Sequence, residues 1–414
     1  MDRLPLSGHR IVDLSMVWAG PYATRQLADM GAEVIKVEAV DNWDLLRSLH
    51  QLPPGTERPY NRSSYFNHNN RNKLGCTINL ADPRGRDLLL KLAAISDAVV
   101  ENYRAAVLDK LGLGYEELCK ARADIILVSM PGYGKSGPEK DYVAYGTNVE
   151  QLAGLVSLTG YPDGGPQKSG ISYGDPVAGL HAAAAVAMAL HRRRMTGLGA
   201  RIEVPQREAL VSVIGEYVVG HSLGAPIQTQ LGNASAVYAP HGVYPCSGED
   251  QWIAIAAEDD DAFHALATAI ERPELAMDER FATNKDRLRN RDALDVLIGQ
   301  WTESRNRDEL FHSLQASGVT AGPVLSVADL PADPHLRDRG FFERVSQVEA
   351  GEWEMDGVPW KLSRTPAHIR LPAPNFGQHN SYVFGELLGL DEGEMESLRA
   401  GGVIGEEPNF SQNQ

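Results

Sequence analysis

The chain has 414 residues, of which 43% are hydrophobic and 23% charged, an ordinary folded-protein composition spread over more chain than one simple core accommodates, so two domains are expected. A formal charge of −16 excludes a surface built for nucleic acid, because neutralising phosphates takes clustered Lys and Arg. Cys76, Cys119 and Cys246 lie far apart without metal-ligand spacing, and there is no apolar leader and no run of membrane-spanning length. A cytoplasmic protein with reduced thiols, no metal and no membrane contact is expected.

In chain order, residues 9–14 read as a strand and Trp18-Ala19-Gly20-Pro21 as a turn. Tyr22 to Met30 has apolar residues at helical spacing, stopped by Gly31, and Ala32 to Glu38 is a second strand. That is a βαβ unit, so its strands should be parallel and its crossover right-handed. From Asp41 to Asn70 no pattern emerges and a long loop is expected. Leu74 to Leu80 is apolar, and Asp82-Pro83 reads as the cap and first position of a helix. Further strands are expected at 98–101, 124–130 and 201–204, alternating with helices in an open α/β sheet.

Beyond Val219 the character changes. A hairpin at 243–256, amphipathic helices from Asp260 to Leu314 and a strand at 318–324 read as a smaller α+β domain. The expected division is 1–218 for a large domain, 219–329 for a small one, and 330–414 for a loop-rich linker and C-terminal segment.

Tyr173-Gly174-Asp175-Pro176 opens an Ala-rich helix. Pro176 suits the first helical position, which puts Asp175 at the N-cap, beside free N–H groups and the positive end of the helix dipole. The Ala-rich stretch behind it should be buried on most sides. His181 reads as a core or interface histidine. A carboxylate held there between two nearby glycines suits a covalent nucleophile toward an activated acyl group. Gly132-Tyr133-Gly134-Lys135-Ser136-Gly137 matches the dinucleotide glycine pattern, but Pro138 follows where a helix should open, so nicotinamide and flavin are disfavoured. Basic residues in loops after strands, Arg71, Lys73, Arg104, Lys110 and Lys135, are candidates for holding a small anionic ligand. Asn102 at a strand end suits a polar contact with ligand or loop backbone.

Several segments together resemble the family III CoA-transferases, the group that includes formyl-CoA transferase, carnitine CoA-transferase and α-methylacyl-CoA racemase. They are Val12-Asp13-Leu14 with Ala19-Gly20-Pro21, residues 31–38, Asn72-Lys73, Glu101-Asn102-Tyr103-Arg104, Leu111-Gly112-Leu113-Gly114-Tyr115, Gly132 with Gly137-Pro138, Gly174-Asp175 with Ala178-Gly179, and Gly322-Pro323-Val324. The resemblance implies a Rossmann-like large domain plus a small domain in an interlocked ring homodimer, with the C-terminal segment returning to the large domain. It implies CoA and acyl-CoA as substrates rather than a tightly bound cofactor, with a carboxylic acid as acceptor. It carries the nucleophile to Asp175, CoA contacts to Trp18, Asn72, Lys73, Asn102, Tyr103, Arg104, Lys110 and Leu111, and the substrate pocket to Tyr145 and Gly174.

Two features depart from formyl-CoA transferase. Ala39 stands where that enzyme has an arginine, which leaves Arg71 or Arg104 to replace it, and Gly232-Asn233-Ala234-Ser235 matches its glycine-rich loop only loosely. Tyr145 stands where the racemases have a histidine. A tyrosine exchanges protons poorly near neutral pH, so transfer from a succinyl-CoA-like donor through an aspartyl-CoA thioester is expected. The alternatives are a racemase or epimerase and a non-catalytic subunit of a hetero-oligomeric transferase.

Overall fold

The computed structural model describes residues 3–49, 52–227 and 230–409. The chain divides into two compact units, one of residues 1–155, 168–225 and 338–414, the other of 156–167 and 226–337.

The first unit is built on a parallel sheet of β1 (Arg10–Asp13), β2 (Glu33–Glu38), β3 (Lys73–Thr77), β4 (Ala98–Glu101), β5 (Ile126–Ser129) and β6 (Ala200–Glu203), in the order 3-2-1-4-5-6. This is the doubly wound order, which reverses between β1 and β4 and opens a crevice at their carboxyl ends. The sequence pattern found five of the six strands. It read β3 only as an apolar stretch, because Lys73 at its start is a charged residue that the fold nevertheless buries completely.

The helices of this unit used below are α1 (Ala19–Asp29), α2 (Ser64–Asn70), α3 (Pro83–Ala94), α4 (Val107–Lys110), α5 (Tyr115–Ala121), α6 (Gly146–Leu152) and α7 (Gly174–Thr196). Asp82 caps α3 through the Arg84 N–H at 2.8 Å, with Pro83 at the first position. The stretch from 41 to 70, expected to be irregular, contains two short 3₁₀ turns, Leu45–Ser48 and Pro59–Asn61, as well as α2. No apolar periodicity announces them because charged side chains fold inward there.

Helix α7 packs along α1, and the closest approach is at Gly179, where a Cβ would lie 2.7 Å from the Ala19 carbonyl oxygen. Two expectations for α7 are corrected. The helix begins two residues earlier, at Gly174, with Tyr173 at the N-cap, because backbone turns from Asp175 N–H to Ser172 and from Val177 N–H to Tyr173 start it. Asp175 therefore lies inside the first turn instead of capping it. Nor is α7 buried on most sides within this chain, since Leu180, Ala184, Met188 and Met195 form an exposed apolar stripe opposite the one packed inward.

After Asp338 the chain forms the antiparallel hairpin β10 (Phe342–Gln347) and β11 (Gly351–Asp356). It then packs Val383, Phe384, Leu398, Val403 and Ile404 into the core on one face of the sheet. The second unit has its own antiparallel sheet, β7 (His241–Pro245), β8 (Trp252–Ala256) and β9 (Thr320–Pro323). Its core is built around Phe263, Leu266, Phe281, Leu294, Ile298 and Leu314.

Candidate active site

The crevice between β1 and β4 is bounded by residues 15–18, a short connection held almost atom by atom. Asp13 accepts from the Ser15 N–H at 3.0 Å. The Asn102 side chain spans Met16, accepting from its N–H at 2.8 Å and donating to its carbonyl at 2.7 Å. Asp44 accepts from the Val17 N–H at 3.0 Å. The connection ends at Ala19, the first residue of α1, whose backbone N–H lies beside the carboxylate of Asp175 and favours its charged form.

Asp175 is 7% exposed. Burial raises its carboxyl to about 7, opposed by the Ala19 amide. The carboxylate also lies against Gly146, where a Cβ would fall 1.9 Å from Oδ2. Gly146 and Ala19 are first residues of helices, and Asp175 is in the first turn of its own, so the carboxylate lies among helix starts, where the dipole favours negative charge. Tyr65 on α2 completes the surroundings. Its hydroxyl is pushed above the usual tyrosine range by burial and by the charges of Asp175 and Asp44. Its ring meets that of Trp18 edge-on at 5.5 Å. A desolvated carboxylate with amide donors beside it can attack an acyl carbon and stabilise the oxyanion that develops.

The expected contact residues separate into two groups. Trp18 borders the site, and Tyr103, Arg104, Lys110 and Leu111 follow β4 on partly or fully exposed positions. Asn102 makes the loop-backbone contact described above. Lys73 and Asn72 are internal. The Lys73 ammonium, fully buried, donates to Asp13 at 3.0 Å, the Pro21 carbonyl at 2.9 Å and Asn70 at 2.9 Å. Asn72 donates to Asp29 and the His368 carbonyl and accepts from the Arg370 and Leu371 N–H groups. Arg71, offered as a substitute for the arginine absent at Ala39, is fully buried and paired with Asp29 at 2.9 Å, which leaves Arg104. Lys135 pairs with the buried Glu101 at 3.4 Å. Gly174 faces Leu210 and Val149. Tyr145, 61% exposed, immediately precedes Gly146. His181 is on the surface of this chain, its ring 2.9 Å from the Val177 carbonyl.

Sequence reasoning missed Tyr65, Gly146, Asp44 and Lys36. Tyr65 and Asp44 fall in the stretch read as a loop, and Lys36 sits mid-strand between Glu33 and Glu38. The one available signal was Gly146, next to a tyrosine already singled out. Among the described residues no group of three or more His, Cys, Asp and Glu side chains could hold a metal, and no helix is long and apolar enough to cross a membrane.

Known proteins similar to this chain identify its family. The family model described as CoA-transferase family III matches residues 6–380. The chain is 35% identical over 400 residues to succinyl-CoA–D-citramalate CoA-transferase of Chloroflexus aurantiacus, covering 97% of this chain and 98% of that one. It is 32% identical to the succinyl-CoA:glutarate CoA-transferase of Mus musculus, covering 97% and 90%. Among solved structures, a CAIB/BAIF family protein from Brucella suis superposes with a TM-score of 0.85 at 33% identity, over 93% of this chain and 100% of that one. The chain belongs to the family III CoA-transferases and is an enzyme of the transferase class.

Proposed function

We propose that this transferase moves CoA from a succinyl-CoA-like thioester to a carboxylic acid, with Asp175 as the nucleophile. The observation that carries the reading is the buried Asp175 carboxylate, held by a backbone amide at the start of α1 and raised to about 7 by desolvation. The relatives named for citramalate and glutarate take succinyl-CoA as donor, which favours a dicarboxylic acid as acceptor here.

In the first step a carboxylate oxygen of Asp175 attacks the thioester carbonyl. The C–S bond breaks, CoA leaves as a thiolate, and a mixed anhydride remains on Asp175. The thiolate then attacks the aspartyl carbonyl, forming the aspartyl-CoA thioester and releasing the donor acid as a carboxylate. The acceptor carboxylate attacks that thioester, regenerating thiolate and a new anhydride. Attack of the thiolate on the acceptor's acyl carbon forms the product thioester and restores Asp175. Backbone N–H groups at the helix starts stabilise each tetrahedral oxyanion, and no resident cofactor enters any step. Trp18, Tyr103 and Leu111 supply apolar contact for the CoA, and Arg104 and Lys110 supply cations for its phosphates.

The enzyme is proposed to work as an interlocked homodimer. The exposed apolar stripe on α7 supports this, as do the exposed Tyr217, Val218 and Val219, because contiguous apolar surface of this kind marks an interface. Light scattering that found a compact, active monomer would remove the dimer from the proposal.

Trapping tests the chemistry. Wild-type enzyme incubated with succinyl-CoA and then hydroxylamine should carry a mass change on the peptide holding Asp175. CoA exchange should depend on an added acid and be strongest with dicarboxylates. Rapid exchange of the substrate α-proton with deuterated water, without adduct or acid-dependent exchange, would overturn the reading.

A further inference from the structure

Val17 has a φ of +66°. For a β-branched residue this left-handed conformation is a true outlier, which persists only where the surroundings over-determine it. The surroundings here are buried and charged. The Asp44 carboxylate, 0% exposed, accepts from the Val17 and Leu46 N–H groups through Oδ1, each at 3.0 Å. Through Oδ2 it pairs with Lys36 at 2.9 Å, and the Lys36 ammonium also donates to the Ser15 carbonyl. One ion pair thus grips both sides of Met16, while Asn102 grips Met16 itself. Two residues beyond Val17 is the amide that meets Asp175.

We propose that Asp44 is a positioning residue for the transfer reaction: with Lys36 it holds Val17 left-handed, so that the Ala19 N–H is aimed at the Asp175 carboxylate. The inference rests on Asp175 as nucleophile. In a relaxed loop Val17 would return to negative φ, the start of α1 would rotate, and the amide would leave the carboxylate. Asp175 would then lose the amide that favours its anion and that is proposed as its oxyanion donor. The charged and titratable groups facing this device are Lys36, Lys73 and Glu38 around Asp44, Tyr103 beyond β4, and Tyr65, which feels both Asp44 and Asp175.

Removing Asp44 alone would strand the Lys36 charge, so the test replaces both. In a Lys36→Met background, Asp44→Asn keeps an acceptor for the Val17 N–H and Asp44→Leu does not, while both avoid a buried unpaired charge. The Leu version should turn over at least about tenfold more slowly than the Asn version, with KM for the donor thioester within about threefold. The infrared titration of the Asp175 carboxyl, taken as a difference against Asp175→Asn, should have its midpoint about half a unit or more higher in the Leu version, because a donor to the anion is lost. Equal turnover and equal midpoints in the two versions would overturn the proposal.

If neither version folds, Val17→Pro serves. Proline has no N–H for Asp44 and fixes φ near about −65°, so the same fall and the same shift are expected, and wild-type behaviour would overturn the proposal. The infrared midpoint needs no substrate. An enzyme that exchanged no CoA would undo the reading of Asp175 while leaving the link from Asp44 to Asp175 decided.

Discussion

Asp13 and Asp175 are buried aspartates in the same α/β unit, and the structure treats them in opposite ways. Asp13, 0% exposed, has the Lys73 ammonium at 3.0 Å, the Thr24 hydroxyl at 2.7 Å and the Ser15 N–H at 3.0 Å. Burial works against its charge, but Lys73, Lys36 and the hydroxyls outweigh it, and its carboxyl is held below the usual range. Asp175 meets the same burial with one amide donor, and burial wins. A carboxylate saturated with cations and hydroxyls has no free lone pair with which to attack. One left with a single donor stays reactive and destabilises the fold whenever it is ionised. The contrast separates a charge held by the fold from the one proposed to react.

The largest effect should come from Asp175→Asn, with turnover down about ten-thousandfold or more and the fold retained by circular dichroism. Stability follows from the direction of the shift. The folded carboxyl is raised above its unfolded value, so the folded state favours the protonated group and stability declines as pH rises from about 4 toward 7. The amide variant escapes this and should be the more stable protein at pH 8, by up to about 4 kcal/mol, with the gap closing toward pH 4. Denaturation curves showing the wild type more stable at pH 8 would break the contrast.

Next is Lys73→Ala, which leaves Asp13 buried without its nearest cation and should cost about 3–5 kcal/mol of stability. Acyl-CoA affinity of the folded enzyme, read by calorimetry, should change by less than about threefold, because the ammonium's bonds are internal. A large loss of affinity at unchanged stability would return Lys73 to the ligand.

Gly146→Ala sharpens the other half. Its Cβ would fall 1.9 Å from the Asp175 carboxylate, so the carboxylate must move, and kcat should fall about a hundredfold with little change in melting temperature. Unchanged kcat would show that the attack geometry does not depend on that contact. Smallest is Arg104→Ala. An exposed cation acting on a CoA phosphate should raise KM about three- to fivefold at low salt, and the difference should shrink as salt is added.

Much of the frame was legible because local physics wrote it. Ile126-Leu127-Val128 is an apolar run of strand length, Gly31 closes a helix, and Asp82-Pro83 opens one. The proposed nucleophile was legible as a carboxylate at the start of an Ala-rich helix, although its place inside the first turn rather than at the cap was not. Its side chain crosses to α1, and nothing within Tyr173 to Gly179 encodes that partner.

Residues 41–72 were not legible. Their order comes from inward charges, Arg47 on Glu38 at 2.8 Å and Arg71 on Asp29 at 2.9 Å, and hydrophobic periodicity cannot register a charge that is buried by pairing across the fold. For the same reason Lys73 and Arg71 looked like ligand cations, since a lysine beside a strand has the same letter whether it faces water or an aspartate sixty residues away.

By itself, the sequence determined the parallel α/β unit, the smaller antiparallel one and the carboxylate proposed as nucleophile, because each follows from neighbours along the chain. Only the tertiary structure decided which charges are internal and why Asp175 is left without a cation. Those outcomes depend on desolvation and on distances between residues such as Asp44, Ala19 and Asp175, which come together only when the strands and helices pack.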